Sequence, residues 1–138
     1  MIRLITGKKG SGKTKIIIDR INTAVKNTNG CLVCIEKGET LRRSISYKVR
    51  WCDTEQFAID TFDAFYGFVA GMLAGNYDIK EIYVDGILKI GGRDYDALGN
   101  MLEKVAVLTK DVNVTERQTV PWRRLQLGRT GRNPGWCD

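Results

Sequence analysis

The residues best suited to chemistry form one continuous segment near the start of the chain. In order they are Gly7, Lys8, Lys9, Gly10, Ser11, Gly12, Lys13 and Thr14. They fit the spacing G-x-x-x-x-G-K-[ST], in which glycines let the backbone turn its N–H groups toward a phosphate. The spacing predicts that Lys13 contacts the β- and γ-phosphates as the catalytic residue and that Thr14 offers its hydroxyl to Mg²⁺. Lys15 follows and is included in the predicted nucleotide-binding segment, with solvent exposure as the alternative.

A phosphate loop of this kind needs a strand before it and a helix after it. The apolar segment 2–6 predicts the strand. From Lys13 onward, apolar residues recur at helical spacing, which predicts a helix that stops before Gly30. The residues on its apolar face are Ile17, Ile21, Ala24 and Val25. Such a helix points its positive dipole end and its free N–H groups at the bound anion.

Asp85 is the second candidate ligand, because it ends the apolar segment 82–84. A strand that ends in an acid is the pattern that holds Mg²⁺ beside nucleotide phosphates, although Asp85 could instead cap the turn at Gly86. No glutamate follows Asp85, so the sequence offers no obvious base for activating water. The acids Glu55, Asp60 and Asp63 and the arginines Arg42, Arg43 and Arg93 are candidates for the γ-phosphate by residue type, with surface positions as the alternative.

The rest of the chain alternates between predicted strands and helices. Further strands are predicted at 31–35, 48–52 and 81–85, with a fifth starting at Val112. One helix is predicted within 57–73, capped by Asp53 or Thr54, and another is capped by Asp94. The apolar face of the latter is Leu98, Met101, Leu102, Val105 and Leu108. The alternation predicts an α/β fold, a three-layer α-β-α domain with a mostly parallel five-stranded sheet. Residues 36–47 are predicted to form a loop or a short exposed helix.

The predicted helix within 57–73 carries two features that packing would explain. Gly67, Gly71 and Gly75 recur every four residues, which predicts close packing of this helix on the sheet. The aromatic residues Phe62, Phe65, Tyr66 and Phe68 are predicted to pack against the same sheet rather than to bind a base.

The cysteines and the missing histidine limit the possible chemistry. Because the chain has no histidine, Ser-His-Asp catalysis and imidazole metal sites are excluded. Cys31 and Cys34 form a C-x-x-C pair within a predicted strand, where residues three apart point to opposite faces. They are therefore predicted to be buried apolar thiols rather than a metal-binding or redox pair.

Charge and hydropathy narrow the partners. Residues 1–115 carry 17 basic and 14 acidic side chains, and residues 116–138 carry five and two. Half of the net charge of +6 therefore belongs to the end of the chain, and nucleic acid is not the predicted partner. No apolar run reaches the roughly 20 residues of a membrane span, and the N-terminal motif leaves no room for a cleaved leader. The protein is thus predicted to be cytoplasmic, with no membrane contact.

The chain changes character after residue 115. Residues 1–115 are predicted to be the P-loop nucleotide-binding domain, and residues 116–138 a tail. The tail contains prolines and glycines but no helical or alternating apolar pattern. Two interpretations stay open, namely a non-native C-terminus or an arginine-rich segment that orders on a partner.

Taken together, residues 7–14 and 82–85 resemble the Walker A and Walker B segments of P-loop NTPases. More narrowly, the chain is similar to short ATP-binding proteins of Firmicute bacteria. The resemblance implies ATP and Mg²⁺ at the carboxyl ends of a parallel sheet, with Thr14 and Asp85 at the metal. The length also resembles type II thymidine kinases, but their cysteine zinc site and their acid-rich segment after Walker B are not found in this sequence.

These features predict a Mg-ATP-binding protein with slow or partner-dependent hydrolysis, and the partner would be another protein. Two alternatives stay open, a small nucleoside-kinase-like phosphotransferase and a nucleotide-sensing module without turnover. The sequence also leaves the strand order open. Two predicted strands lie between the Walker segments along the chain, and either could separate them in the sheet.

Overall fold

A computed structural model describes the backbone of residues 2–6 and 13–118 and the side chains of residues 14–115. The strands are β1 (Ile2–Thr6), β2 (Cys31–Glu36), β3 (Arg50–Asp53), β4 (Ile79–Asp85) and β5 (Asn113–Gln118). The helices are α1 (Lys13–Asn27), α2 (Phe62–Gly75), α3 (Ile87–Gly91) and α4 (Tyr95–Leu108). The predicted α/β class is confirmed. Strand β5 runs three residues past the predicted domain boundary, and the predicted tail from 119 onward lies outside the described residues.

The sheet is parallel and has the order β1-β5-β4-β2-β3. The strand that separates β1 from β4 is therefore β5, and neither of the two strands that precede β4 along the chain. Sequence order could not predict this, because β5 reaches its place by a crossover through α4. All five strands point the same way, so their carboxyl ends meet at one edge of the sheet.

Helices cover both faces of this sheet, because β2 and β4 bury their side chains on both sides. On one face, Ile17 and Ile21 of α1 pack against Leu32 and Cys34 of β2. On the other face, residues from α2, α3 and α4 form a larger apolar cluster with Val33 and Ile35 of β2. A strand buried on both faces reads as a continuous apolar run, which is how residues 31–35 of β2 and 82–84 of β4 appear in the sequence.

The cysteine prediction is confirmed for the placement on opposite faces of the strand and for the burial of Cys34, whereas Cys31 is only half-buried. Cys34 belongs to the cluster under α1, whereas Cys31 packs against the cluster under α2 and α4. The two thiols therefore lie on opposite faces of β2. Burial raises the pKa of the Cys34 thiol, with smaller contributions from the nearby charges of Glu36 and Asp85, so this thiol stays protonated at neutral pH.

The start of α2 differs from the prediction. Its cap is Thr61, whose side chain accepts a hydrogen bond from the Ala64 N–H. Thr54 is instead fully buried, and its hydroxyl has no hydrogen-bond partner in the described part of the chain. A tight turn follows Thr54, closed by the Ile59 N–H donating to the Thr54 carbonyl over 3.0 Å. Ala58 in this turn has a φ of 54°, a left-handed conformation that is unusual for alanine.

The aromatic side chains of α2 pack as predicted, but its glycines do not. Phe62 and Phe65 are buried in the cluster, and Tyr66 and Phe68 pack against it. Gly67, Gly71 and Gly75 are exposed, and a Cβ atom placed on any of them would meet nothing within 4 Å. The prediction that these glycines allow close packing on the sheet is therefore wrong, because the stripe they form faces away from the core.

Replacing Gly71 with alanine is expected to raise the free energy of unfolding by about 0.5–1 kcal/mol. The added methyl group meets open space, and alanine loses less backbone entropy than glycine in a helix. Urea unfolding monitored by circular dichroism measures the change. A lower unfolding free energy would mean that this face of α2 packs against something after all.

The second long helix, α4, follows its prediction closely. Asp94 caps it by accepting hydrogen bonds from the Asp96 and Ala97 N–H groups. Its predicted apolar face is buried except at the last position, where Leu108 is 38% exposed. In residues 13–118, no helix is long and apolar enough to cross a membrane.

Candidate functional site

Three neighbouring strands of the sheet end in an acid at the same level. In the parallel register Glu36 pairs with Asp53 on one side and with Asp85 on the other. We refer to these three residues as the acidic edge. Since parallel strands are about 4.8 Å apart, the three carboxyl groups come from adjacent positions at one end of the sheet.

Asp85 lies at the point where β4 ends and the chain turns into α3. Its side chain is 8% exposed. Gly86, which follows it, has a φ of 72°, a conformation that favours glycine and lets the chain turn sharply away from the sheet. The carboxylate is thus held at the carboxyl edge by a buried strand on one side and a short helix on the other.

The register relates Asp85 to the start of the predicted phosphate loop. Asp85 pairs with Arg117 of β5, and Thr6, the last residue of β1, pairs with Gln118. Thr6 and Asp85 therefore lie at nearly the same level, two strands apart. At usual strand spacing this separation is about 10 Å. Thr6, from which the chain enters the predicted loop, and Asp85 therefore share one edge of the sheet.

The other predicted nucleotide-binding residues follow from Thr6. Gly7, Lys8, Lys9, Gly10, Ser11 and Gly12 lie outside the described residues. Lys13 is the first residue of α1, as predicted, and its side chain is also outside the described part. Thr14 is half-buried in the first turn of α1, and Lys15 is exposed.

Glu36 is a site residue that the sequence reasoning missed. It was predicted to begin a polar loop, but it is the last residue of β2 and only 1% exposed. Its Oε2 accepts hydrogen bonds from the Leu41 N–H over 2.8 Å and from Trp51 Nε1 over 2.7 Å. The signal was present, since 31–35 is an apolar run that ends in an acid, as 82–84 is before Asp85.

The environment of Glu36 favours its protonated form. Burial raises the pKa of this carboxyl, and the nearby charge of Asp85 raises it further. The hydrogen bonds from Trp51 and Leu41 act in the opposite direction without cancelling the shift. A buried carboxyl with a raised pKa, close to a second acidic side chain, is a candidate for proton transfer.

The segment 37–49 is fastened to the acidic edge. Besides the Leu41 bond to Glu36, the Gly38 N–H donates to Asp53 Oδ1 over 3.0 Å. The guanidinium of Arg42 lies 4.9 Å from the centre of the Trp51 ring and pairs with Glu39 at 3.1 Å. The carboxylates of Glu36 and Asp53 thus determine where this segment sits above the strand ends.

The same segment also reaches the helices on either face of the sheet. The Asn22 side chain of α1 donates to the Ser44 carbonyl and accepts from the Ser46 N–H, both over 3.0 Å. Lys37 Nζ donates to the Lys89 carbonyl of α3 over 3.3 Å. A displacement of segment 37–49 would therefore change its contacts with Glu36, with α1 and with α3, the helix that follows Asp85.

The remaining candidates for contact with the γ-phosphate are not held at the acidic edge by buried contacts. Glu55, Asp60 and Asp63 are exposed, as are Arg42, Arg43 and Arg93. Among residues 14–115, no group of three or more histidine, cysteine or acidic side chains is arranged to hold a metal ion. Magnesium in nucleotide sites is usually held by one or two side chains and completed by phosphate oxygens and water.

Comparisons with known proteins add no family to the α/β class that the fold shows. No protein-family model matches the chain, and no curated protein matches it significantly.

Proposed function

We propose that this protein binds Mg-ATP at the carboxyl edge of its sheet, as a P-loop NTPase does, and hydrolyses it slowly or when a protein partner engages it. The observation that carries the proposal is the strand arrangement. The residue that leads into the motif, Thr6, and the buried Asp85 end parallel strands at the same edge, two strands apart. In parallel α/β sheets with helices on both faces, ligands bind outside the carboxyl ends of the strands.

The residues fit a magnesium nucleotide. Residues 7–12 supply backbone N–H groups and Lys13 a cation for the phosphates, and α1 adds the positive end of its dipole. Thr14 and Asp85 offer the oxygen atoms that Mg²⁺ prefers. Bound there, the metal would neutralise charge on the β- and γ-phosphates during transfer. The five-stranded parallel sheet with helices on both faces supports a three-layer P-loop NTPase-like domain.

Glu36 supports the slow or partner-dependent part of this proposal. It ends the strand next to β4, so it can supply the base that the sequence lacks after Asp85. Its Oε2 is already occupied by Leu41 and Trp51. A carboxylate oxygen that accepts two hydrogen bonds is a weak base toward water. A partner that shifts segment 37–49 would loosen these bonds and raise the rate of hydrolysis.

The test is a titration of fluorescent ATP and ADP, with and without Mg²⁺, against wild type and Lys13→Ala. We expect Mg²⁺-dependent binding in the wild type and a loss of at least about 100-fold in affinity in the variant, because a charge-assisted phosphate contact is lost near a helix N-terminus. Circular dichroism confirms that the variant is folded. Lys26→Ala is the matched control, since Lys26 is an exposed lysine in the last turn of the same helix.

Two results would contradict the proposal. Equal affinity of wild type and Lys13→Ala would show that the motif does not hold the phosphates. If binding does not depend on Mg²⁺ and is unchanged by Asp85→Asn, Asp85 does not hold the metal.

A further inference from the structure

A cleft opens between the first halves of α2 and α4, on the sheet face opposite to α1. Its volume is about 430 Å³. Its lining includes Phe62, Asp63, Tyr66, Asp94, Asn100 and Lys104. Pockets of roughly 300–1,000 Å³ with an apolar base and a few polar groups are typical of small-molecule sites. We call this feature the α2–α4 cleft.

The lining combines apolar and aromatic side chains with polar ones. Phe62 and Met101 are buried, and Ala97 is half-buried beside them. Tyr66 adds a second aromatic ring, and Lys104 Nζ lies 5.8 Å from its centre. A planar ring compound can lie against such a lining, because aromatic rings prefer stacked or edge-on contact with other rings.

The charges of the lining restrict what can enter. The charged residues of the lining are Asp63, Asp94 and Lys104, which together carry a net charge of −1. Asp94 uses Oδ1 to cap α4. Two carboxylates favour hydroxyl and amino donors and repel phosphate groups. The lining thus selects against nucleotides and in favour of an uncharged or cationic compound.

We propose that the α2–α4 cleft binds a phosphate-free ring compound of nucleoside size. Its ring lies against Tyr66, and its hydroxyl or amino groups donate to Asp63. The cleft shares no residue with the predicted phosphate loop or with the acidic edge. This binding therefore goes beyond the Mg-ATP site and stands or falls independently of it.

The experiment is an NMR titration of the whole chain with adenosine, guanosine, cytidine and uridine, followed by their 5′-monophosphates. The amide signals of Ala97, Asn100 and Lys104 report on the cleft. At least one nucleoside is expected to shift these signals and to bind more tightly than its monophosphate. The shifts should persist in Lys13→Ala, which separates this site from the nucleotide site.

Two matched variants test the role of the charged lining. Asp63 and Asp96 are both exposed acids in the first turn of a helix, but only Asp63 lines the cleft. Asp63→Asn is expected to weaken nucleoside binding about tenfold, and Asp96→Asn to leave it unchanged. Absence of shifts with every nucleoside, tighter binding of the monophosphates, or equal effects of the two variants would each overturn the proposal.

Discussion

Replacing Glu36 with alanine is expected to lower the free energy of unfolding by roughly 2–4 kcal/mol. The substitution leaves the Leu41 N–H and the Trp51 Nε1–H without their acceptor at a buried strand end. Each donor deprived of its partner in a buried site destabilises the fold by about 1–3 kcal/mol. Glu36→Gln keeps an oxygen in the same place and should lose much less. Urea unfolding of the three proteins, followed by circular dichroism, gives the comparison.

The pH dependence of the unfolding free energies of wild type and Glu36→Gln separates the charge of the Glu36 side chain from its shape. Burial and the charge of Asp85 raise the pKa of Glu36 above its usual value of 4.5. The folded state therefore binds this proton more tightly than the unfolded state. Its stabilising contribution is fully present below pH 4.5 and is lost as the pH rises through the raised folded pKa. The glutamine variant has no such titration.

Wild type is therefore expected to lose stability relative to Glu36→Gln as the pH rises from acid to neutral. If the difference in unfolding free energy between wild type and Glu36→Gln stays constant with pH, Glu36 is not protonated more readily in the folded state. If this difference changes in the opposite direction, the hydrogen bonds from Trp51 and Leu41 outweigh burial. Equal stability of the alanine and glutamine variants would contradict the role of the carboxylate as an acceptor for segment 37–49.

The case of Glu36 illustrates what sequence patterns can and cannot predict. Asp85 was predicted because an acid ends an apolar run, and Glu36 ends a similar run. The polar residues after Glu36 nevertheless favoured a loop starting at that residue. Its burial depends on Trp51 and Leu41, which fold back over it from 15 and 5 residues away along the chain. Local patterns hold no information about such contacts.

The placement of β5 and of the glycines on α2 has a similar explanation. The strand pattern that starts at Val112 predicts that β5 exists but not where it pairs, because pairing is decided by the crossover through α4. Spacing alone predicts that Gly67, Gly71 and Gly75 share one side of a helix. Which side faces the sheet is decided by the larger apolar residues Phe62, Phe65 and Val69, which are buried instead. The α/β class needed only the alternation of elements, so it was predictable.

Replacing Gly91 with alanine is expected to lower the free energy of unfolding by about 2–3 kcal/mol. A Cβ atom at Gly91 would overlap the ring of Phe62, well inside van der Waals contact. Phe62 is buried in the larger apolar cluster, so its ring has little room to move. The backbone of Gly91 is not in the left-handed region, and the effect is therefore steric rather than torsional.

Gly71→Ala is the matched control, because it makes the same substitution in a helix with open space around it. The two variants are expected to change stability in opposite directions. A smaller residue in place of Phe62 should relieve the clash, so Gly91→Ala combined with Phe62→Leu should destabilise less than the sum of the single changes. Additive effects would contradict direct contact between α3 and α2. Because α3 begins two residues after Asp85, the same contact fixes the helix that leads away from the acidic edge. If Gly91→Ala weakens Mg²⁺-dependent nucleotide binding, the added Phe62→Leu change should therefore restore it.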